Sequence, residues 1–177
     1  MGQPRRSWGW HRLAAEQAEQ LVADAALPRR CLVLDIGAGH GSLTAPLLVA
    51  GHRVIAVEAH PRRAAHLRER FGSKLTVIGI DARQLCLPRR PFHVVASPPY
   101  AITSPLLQLL LQHRSHLHSA HLVIQAQAAR RWAYGRPPGA GRWRQSFDLT
   151  VLRPVPRQAF QPPPAVPSAV LRIRRRA

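Results

Sequence analysis

The sequence has little negative charge, almost no lysine and no asparagine. Its 177 residues include 8 Asp and Glu against 26 Lys and Arg, and because Lys74 is the single lysine, the net charge of +18 comes almost wholly from arginine. A GC-rich genome would favour Arg over Lys and remove Asn, but it would not explain the shortage of acids. Guanidinium groups bind phosphates through paired hydrogen bonds, so this composition predicts a polyanion, and nucleic acid in particular, as a partner.

Cysteine and long apolar runs are also scarce. Only Cys31 and Cys86 occur, too few for a zinc cluster or a disulfide framework, and both are expected to be small core residues. No apolar run approaches the roughly 20 residues that a membrane-spanning helix needs. No apolar stretch follows the basic amino terminus, so we predict no secretory signal, no membrane partner and a cytoplasmic location.

Short apolar runs alternate with helical patterns along the chain. This alternation is typical of βα units around a mostly parallel sheet, so we predict one doubly wound, Rossmann-like α/β domain over residues 31–177, preceded by a basic segment and a leading helix over residues 1–30. The predicted strands are 31–36, 53–57, 75–80, 93–96, 122–125, 147–152 and 168–173, and the predicted helices are 13–26, 42–50 with Ser42 as N-cap, 61–71, 104–112 and 126–132. The segment 136–142 is rich in proline and glycine and is expected to be irregular.

A glycine-rich loop follows the first predicted strand. Gly37, Gly39 and Gly41 allow the backbone to turn tightly and approach a ligand, which open α/β sheets bind at the carboxyl ends of their strands. Ser42 stands where a dinucleotide-binding fold has its third glycine, and no G-K-[ST] sequence follows. A Walker loop is therefore excluded, and an NAD-binding fold is disfavoured.

Acidic residues end three consecutive predicted strands: Asp35, Glu58 and Asp81. An acid after the second strand accepts hydrogen bonds from ribose hydroxyls, and one after the third can accept from the exocyclic amino group of adenine. Each acid alone is typical of a solvated turn. Together with the glycine loop, the three predict S-adenosyl-L-methionine as the cofactor.

The fourth predicted strand ends in Ser97-Pro98-Pro99-Tyr100. An amino group conjugated to a nucleobase is a poor nucleophile, so an enzyme that methylates it needs acceptors for its N–H groups and an aromatic ring on its face. Ser97 Oγ and the Pro98 carbonyl would accept, and Tyr100 would stack on the base, which is worth about 1–3 kcal/mol in related contacts. The simpler alternative is a rigid Pro-Pro turn that ends a strand.

In this order the motifs resemble those of the rRNA adenine N6-methyltransferases of the Erm and KsgA type, above all short Erm-like enzymes that confer macrolide, lincosamide and streptogramin B resistance. The resemblance covers nearly the whole chain. Residues 35–44 are similar to the first cofactor motif of the family, and Val57-Glu58 and Asp81-Ala82 are similar to the next two. Residues 160–164 with 168–170 resemble its late F-x-P-P-P…S-A-V element.

The resemblance implies methyl transfer from S-adenosyl-L-methionine to the N6 amino group of an adenine in the peptidyl-transferase loop of 23S rRNA. The enzyme would act as a monomer, without a metal, on protein-free or assembling ribosomal particles. The implied catalytic residues are Ser97, Pro98, Tyr100 and Phe160, and Phe160 would help to hold the unstacked base. The implied cofactor-binding residues are His11, Leu13, Asp35, Gly37, Gly39, Gly41, Glu58, Asp81 and Ser97.

The sequence departs from the family pattern at three places. Its fourth motif begins with Ser97 instead of Asn, and the amino-terminal G-Q-N-F-L element of the family is Gly9-Trp10-His11-Arg12-Leu13 here. Most members also continue into a small helical domain that grips RNA, whereas this chain ends where that domain would begin. RNA affinity is therefore expected from the α/β domain and its Arg residues, namely Arg5, Arg6, Arg130, Arg131, Arg142 and Arg144. The loop 136–144, which holds Trp143, is compatible equally with RNA binding and with a disordered insert.

Two other functions stay open at this point. A start with Ser97 also resembles DNA cytosine N4-methyltransferases, so a cytosine N4 or DNA amino-methyltransferase is an alternative. A catalytically silent RNA-binding or ribosome-assembly protein is another. His113, His116, His118 and His121 lack the spacing of a hydrolytic zinc site and are expected to form a solvated linker, whereas His40 is expected to line the cofactor pocket.

Overall fold

A computed structural model of the protein describes residues 11–176. Over this part of the chain the strands and α-helices follow in the order β1 (Arg12–Leu13), α1 (Ala15–Ala25), β2 (Leu32–Ile36), α2 (Thr44–Val49), β3 (Arg53–Val57), α3 (Pro61–Phe71), β4 (Thr76–Ile78), β5 (Phe92–Ala96), α4 (Thr103–Leu110), β6 (Leu117–Gln125), α5 (Ala126–Tyr134), α6 (Ala140–Trp143), β7 (Phe147–Val155), β8 (Phe160–Gln161) and β9 (Ser168–Arg175).

Seven strands form one sheet in the order β4-β3-β2-β5-β6-β9-β7. The pairs from β4 to β6 are parallel, and β9 is antiparallel to both β6 and β7. The predicted doubly wound α/β fold is thus confirmed, and β3 and α3 have the predicted bounds. Between residues 11 and 176 no helix is long and apolar enough to cross a membrane.

The core lies on both faces of this sheet. Every residue of β2 is buried, and its side chains alternate between two apolar clusters: Leu34 belongs to one and Val33 to the other. Such a continuous apolar strand is typical of a parallel sheet covered on both sides. On the second face, α1 buries Ala18, Leu21 and Ala25, which recur at helical spacing. The leading helix therefore packs into the same core as the sheet.

A two-stranded ribbon, which the sequence analysis did not predict, joins the two ends of the described chain. In this ribbon β1 runs antiparallel to β8, with Leu13 opposite Phe160. The Ala14 amide donates to the Ala159 carbonyl at 2.8 Å, directly beyond the ribbon. The ribbon carries His11 to the edge of the sheet where the parallel strands end.

Three local predictions are wrong. Ser42 is not the N-cap of α2, because the turn after the glycines extends to Leu43 and the helix begins at Thr44. Cys86 is exposed, since Leu85 beside it takes the buried position in this irregular connection. The segment 136–142 is not wholly irregular: α6 begins at Ala140, and Trp143 at its end is buried with its ring 6.1 Å from that of Trp132.

The prediction of a solvated histidine linker is wrong for His121. The strand β6 begins at Leu117, before the predicted start, so that His121 lies in the middle of the sheet and has no exposed surface. Neither of its ring nitrogens has a hydrogen-bond partner in the described structure. Burial, followed by the nearby positive charges of Arg172 and Arg174, lowers the pKa of His121 from its ordinary 6.5 to about 4.

This buried histidine predicts a loss of stability in mild acid. Between pH 6.5 and about 4 the unfolded chain binds a proton that the folded protein does not, so the free energy of unfolding falls by about 3 kcal/mol as pH falls through this range. We expect His121→Met to remove this part of the pH dependence, as measured by urea unfolding at a series of pH values. His118 is exposed, so His118→Met is the matched control, and its free energy of unfolding should fall in acid as that of the parent does. The same fall in His121→Met would contradict the assignment.

Candidate active site

A cleft opens at the carboxyl ends of β2 and β5, where the strand order changes direction. Open α/β sheets bind their ligands at such a switch point. The cleft is lined by His11, Arg12, Leu13, Asp35, Gly37, Ala38, His40, Ser42, Leu43 and Ser97. Of the predicted cofactor-binding residues, His11, Leu13, Asp35, Gly37 and Ser97 therefore lie on one cleft, as does the predicted His40.

The glycine loop is held by the neighbouring strand and by the proline loop. The Gly37 amide donates to the Val57 carbonyl at 2.8 Å, and its φ of +76° belongs to the left-handed region. A Cβ atom on Gly37 would lie 2.9 Å from Pro99 Cδ and 3.2 Å from Pro98 Cα. Only a residue without a side chain allows the two loops to approach this closely.

Gly41 packs the glycine loop against α3. It does not line the cleft, and a Cβ atom on Gly41 would lie 2.7 Å from Phe71 Cε2 in α3. Its φ of +85° and this contact show that the residue packs the loop against the helix. Its predicted contact with the cofactor stays a prediction.

Asp35 is a buried carboxylate at the end of β2. Its Oδ2 accepts a hydrogen bond from the Thr44 hydroxyl at 2.6 Å, and its exposed fraction is 1%. Burial raises the pKa of Asp35 from its ordinary 3.8 to about 7, although the Thr44 hydroxyl opposes this shift and the Glu58 charge adds to it. The floor of the cleft is thus an acid that a neighbouring cation would help to ionise.

Glu58, just after β3, links the end of that strand to the glycine loop. Its Oε2 accepts from the Gly39 amide at 2.8 Å, and its Oε1 accepts from the His60 amide at 2.8 Å. Arg63 Nη2 lies 3.1 Å from the same Oε1. Because each carboxylate oxygen has two lone pairs, Oε2 retains room to accept from a ligand hydroxyl. Neither Gly39 nor Glu58 lines the cleft itself; both lie directly behind it.

Asp81 is not among the residues that line the cleft, and its carboxylate is bound by Arg83, two residues later. Its carboxylate accepts from the Arg83 backbone amide and pairs with the Arg83 guanidinium at 2.5 Å. The strand β4 ends at Ile78, earlier than predicted, so a turn separates Asp81 from the sheet. The predicted contact of Asp81 with adenine stays a prediction.

Tyr100 belongs to an aromatic cluster next to Ser97. Its hydroxyl shares a 2.5 Å hydrogen bond with Ser168 Oγ at the start of β9, and burial raises the pKa of Tyr100. The His11 ring is stacked on the Tyr100 ring with 5.9 Å between centroids, and Phe160 meets His11 edge-on at 6.5 Å. The late S-A-V and F-x-P-P-P segments thus support the fourth motif.

The position of His11 follows from the ribbon of β1 and β8. Its Nδ1 hydrogen-bonds with the Pro162 carbonyl at 2.8 Å, so this nitrogen is the donor. Phe160 is 4% exposed, and within the cluster it contacts His11. The role predicted for Phe160 at a bound base therefore stays a prediction, as do those of Ser97, Pro98 and Tyr100.

The predicted RNA-binding arginines lie in separate places. Arg5 and Arg6 lie outside the described residues. Arg130 and Arg131 are exposed on α5, and Arg142 is exposed on α6. Arg144 is half-buried, because its guanidinium donates to the Gly135 carbonyl at 2.5 Å and lies over the ring of Trp143. The connection from α5 to β7 leads to the amino end of β7, so it lies at the opposite edge of the sheet from the cleft.

The sequence analysis missed several residues that support the site. Thr44 and Ser168 hold Asp35 and Tyr100, and Arg63 holds Glu58. Thr44 and Ser168 lie within the quoted motifs, which was the available signal. Arg63 carried none, because it is one of many arginines in the chain.

The contact between Gly37 and the proline loop predicts that a methyl group at position 37 greatly lowers the free energy of unfolding. Gly37→Ala should lower the free energy of unfolding by about 2–3 kcal/mol, through left-handed backbone strain and overlap with Pro99. Gly51→Ala is the matched control, since Gly51 also has a left-handed φ, +80°, but has nothing within 4 Å of its Cβ position. It should cost about 1 kcal/mol. Equal losses in urea unfolding would contradict the close packing of the two loops.

The buried Asp35 predicts a pH dependence opposite to that of His121. Between pH 3.8 and about 7 the folded protein keeps a proton on Asp35 that the unfolded chain releases, so this carboxyl destabilises the fold as pH rises. As pH rises from 4 to 8, the free energy of unfolding of Asp35→Asn, measured in urea, should increase relative to that of the parent by about 2–4 kcal/mol. Thr44→Val, which removes the hydroxyl donor, should extend the window above pH 7. If the free energy of unfolding of Asp35→Asn depended on pH as that of the parent does, this assignment would be contradicted.

Comparison with known proteins points to one family. A family model described as ribosomal RNA adenine dimethylase matches residues 5–177. The chain is 36% identical to ribosomal RNA small subunit methyltransferase A of Anaeromyxobacter dehalogenans, over 94% of this chain and 66% of that protein. It is also 36% identical to the mycinamicin-resistance protein MyrB of Micromonospora griseorubida, over 82% of this chain and 47% of that protein.

A solved structure has the same fold. The 23S rRNA methyltransferase ErmE superimposes with a TM-score of 0.81 and 32% identity, over 92% of this chain and 68% of that one. The chain thus spans about two thirds, or less, of the length of these relatives. On the match over residues 5–177, the chain belongs to the ribosomal RNA adenine dimethylase family of S-adenosyl-L-methionine-dependent methyltransferases.

Proposed function

We propose that this protein transfers a methyl group from S-adenosyl-L-methionine to the N6 amino group of an adenine in the peptidyl-transferase loop of 23S rRNA, and that it thereby confers macrolide, lincosamide and streptogramin B resistance. The observation that carries the proposal is the contact of the Ser97–Tyr100 loop with Gly37. It brings a candidate amino-group acceptor and an aromatic ring to the edge of the cofactor cleft.

The residues at the cleft fit S-adenosyl-L-methionine. The cofactor supplies an electrophilic methyl group on a sulfonium cation and carries an ammonium group as well. Asp35, which lines the cleft, offers a buried acid to this positive charge, and Glu58 Oε2, which accepts from the Gly39 amide, would also accept from the ribose hydroxyls. The absence of a Cβ atom on Gly37 lets the proline loop approach the glycine loop at the edge of this cleft.

The reacting amino group would be oriented by neutral acceptors. Ser97 Oγ and the Pro98 carbonyl would accept its two N–H groups, which directs the nitrogen lone pair at the methyl group. Neither acceptor is basic enough to take a proton, so the proton would leave to solvent after the transfer. Tyr100, fixed by Ser168, would offer one face to the base.

The choice of 23S rRNA is supported by two of the relatives. ErmE is named as a 23S rRNA methyltransferase, and MyrB is named for mycinamicin resistance. A second candidate, adenine methylation in small-subunit rRNA, is favoured by the 36% identity with the small-subunit methyltransferase of Anaeromyxobacter. The fourth motif begins with Ser97 instead of Asn, and for this reason the experiment also tests two alternatives. These are a cytosine N4 or DNA amino-methyltransferase and a catalytically silent RNA-binding protein.

The decisive experiment incubates the protein with labelled S-adenosyl-L-methionine and unmethylated 23S rRNA, 16S rRNA or DNA, followed by nucleoside mass spectrometry. We expect N6-methylated adenosine from 23S rRNA. Label in 16S rRNA would select the small-subunit function, and N4-methylcytosine would select the cytosine alternative. Expression in a macrolide-sensitive bacterium should allow growth on the drug.

Tyr100 provides the matched pair of variants for the base pocket. Tyr100→Ala should slow methyl transfer by about 10- to 100-fold because the stacking face is lost. Tyr100→Phe keeps the ring, loses only the bond to Ser168, and should stay within about fivefold of the parent. An unchanged rate in Tyr100→Ala would contradict the base pocket, and activity that appears only in Ser97→Asn would favour the silent protein.

A further inference from the structure

The edge of the sheet opposite the cleft carries a row of exposed arginines. We call it the amino edge: it is formed by the amino ends of β2, β3, β5, β6 and β7 and by the carboxyl end of β9. Backbone hydrogen bonds join its parts, since the Arg53 amide donates to the Cys31 carbonyl and the Phe92 amide to the His116 carbonyl. The exposed arginines that precede or end these strands are Arg29, Arg30, Arg53, Arg89, Arg90, Arg114, Arg142, Arg174 and Arg176.

Acids at the amino edge do not balance these charges. Asp148, at the start of β7, pairs with Arg176 at 2.6 Å. Within residues 11–176, none of the other arginines in the row forms an ion pair with an acid. Adjacent strands are about 4.8 Å apart, so the row from β3 to β7 is about 24 Å long. Cations this close repel one another, and a bound polyanion would relieve the repulsion.

A cavity at one end of the row is suited to an anion. It has a volume of about 400 Å³ and lies between the end of α4 and the connection that contains α6. Gln112, Arg142, Trp143 and Ser146 on its walls all carry N–H or O–H donors, and none of the residues that line it is acidic. These donors, with no acid among the lining residues, suit the oxygens of an anionic group.

We infer that the amino edge is a second RNA-binding surface, which holds the phosphate backbone of the rRNA away from the reacting adenine. Arginine dominates the row, and its planar fork matches phosphate oxygens better than lysine does. The length of the strands separates this surface from the cleft, so that RNA at the amino edge leaves the base pocket free. The inference rests on the proposed function for the identity of the RNA, but the binding surface is tested without methyl transfer.

The test compares RNA affinity and its salt dependence in two matched variants. Arg89→Gln/Arg90→Gln removes two charges from the amino edge, and Arg62→Gln/Arg68→Gln removes two exposed charges from α3. Affinity for a 23S rRNA fragment is measured by fluorescence anisotropy at several KCl concentrations. We expect the amino-edge variant to bind about tenfold more weakly, with a salt slope smaller by about 1.4–1.8, because each of the two lost phosphate contacts removes about 0.7–0.9. The α3 variant should change much less.

Ser146→Ala tests the cavity without a change in charge. The variant removes a hydroxyl donor from a residue that lines the cavity. RNA affinity should fall a few-fold. Unchanged affinity would mean that the cavity is not part of the RNA-binding surface.

Several outcomes would overturn the inference. Equal losses in the two arginine pairs would mean that net charge alone attracts RNA. Competition by polyglutamate as strong as that by RNA at equal charge would indicate an acidic protein as the partner. If the parent methylates rRNA and the amino-edge variant binds RNA as the parent does, the surface is wrong and the function stands. If the parent transfers no methyl group but the amino-edge variant loses RNA affinity, the surface stands and the function is wrong.

Discussion

The site depends on the contact between the glycine loop after β2 and the proline loop after β5. Gly37 meets Pro98 and Pro99 at distances that leave no room for a Cβ atom. The two loops end adjacent parallel strands, and this contact fixes how far apart their ligand-binding groups lie. Asp35 lies just before the first loop, and Ser97 begins the second. A change in this contact would therefore move Asp35 and Ser97 relative to each other.

Acidic and basic side chains concentrate at opposite ends of the strands. At the carboxyl edge, scarce acids are used as buried groups, each with a dedicated donor: Thr44 for Asp35 and the Gly39 amide for Glu58. At the amino edge, exposed arginines outnumber the acid Asp148. Buried acids thus lie at one end of the sheet and exposed cations at the other, as the proposed cationic cofactor and polyanionic substrate would require.

The fold could be predicted well because its signals are local. Apolar runs flanked by glycine and proline indicated all seven strands of the sheet, and Pro61 with the apolar spacing behind it indicated α3 with its observed bounds. The ribbon of β1 and β8 could not be predicted, since two-residue strands carry no periodic pattern. His121 was assigned to a linker because polar neighbours hid the start of β6. Asp35 and Ser97 were found from their positions at strand ends, but supports such as Arg63 depend on contacts that no spacing reveals.

The aromatic cluster at the site joins distant parts of the chain. The bond between His11 and the Pro162 carbonyl spans 151 positions in the sequence, and Ser168, which holds Tyr100, lies in the last strand. Contacts of this separation close a very long loop and form late in folding. During synthesis the parallel part of the sheet can begin to assemble before β9 is available, but Tyr100 has no Ser168 to bond with until that strand has joined the sheet. The loop after β5 therefore takes its final form later than the strand that carries it.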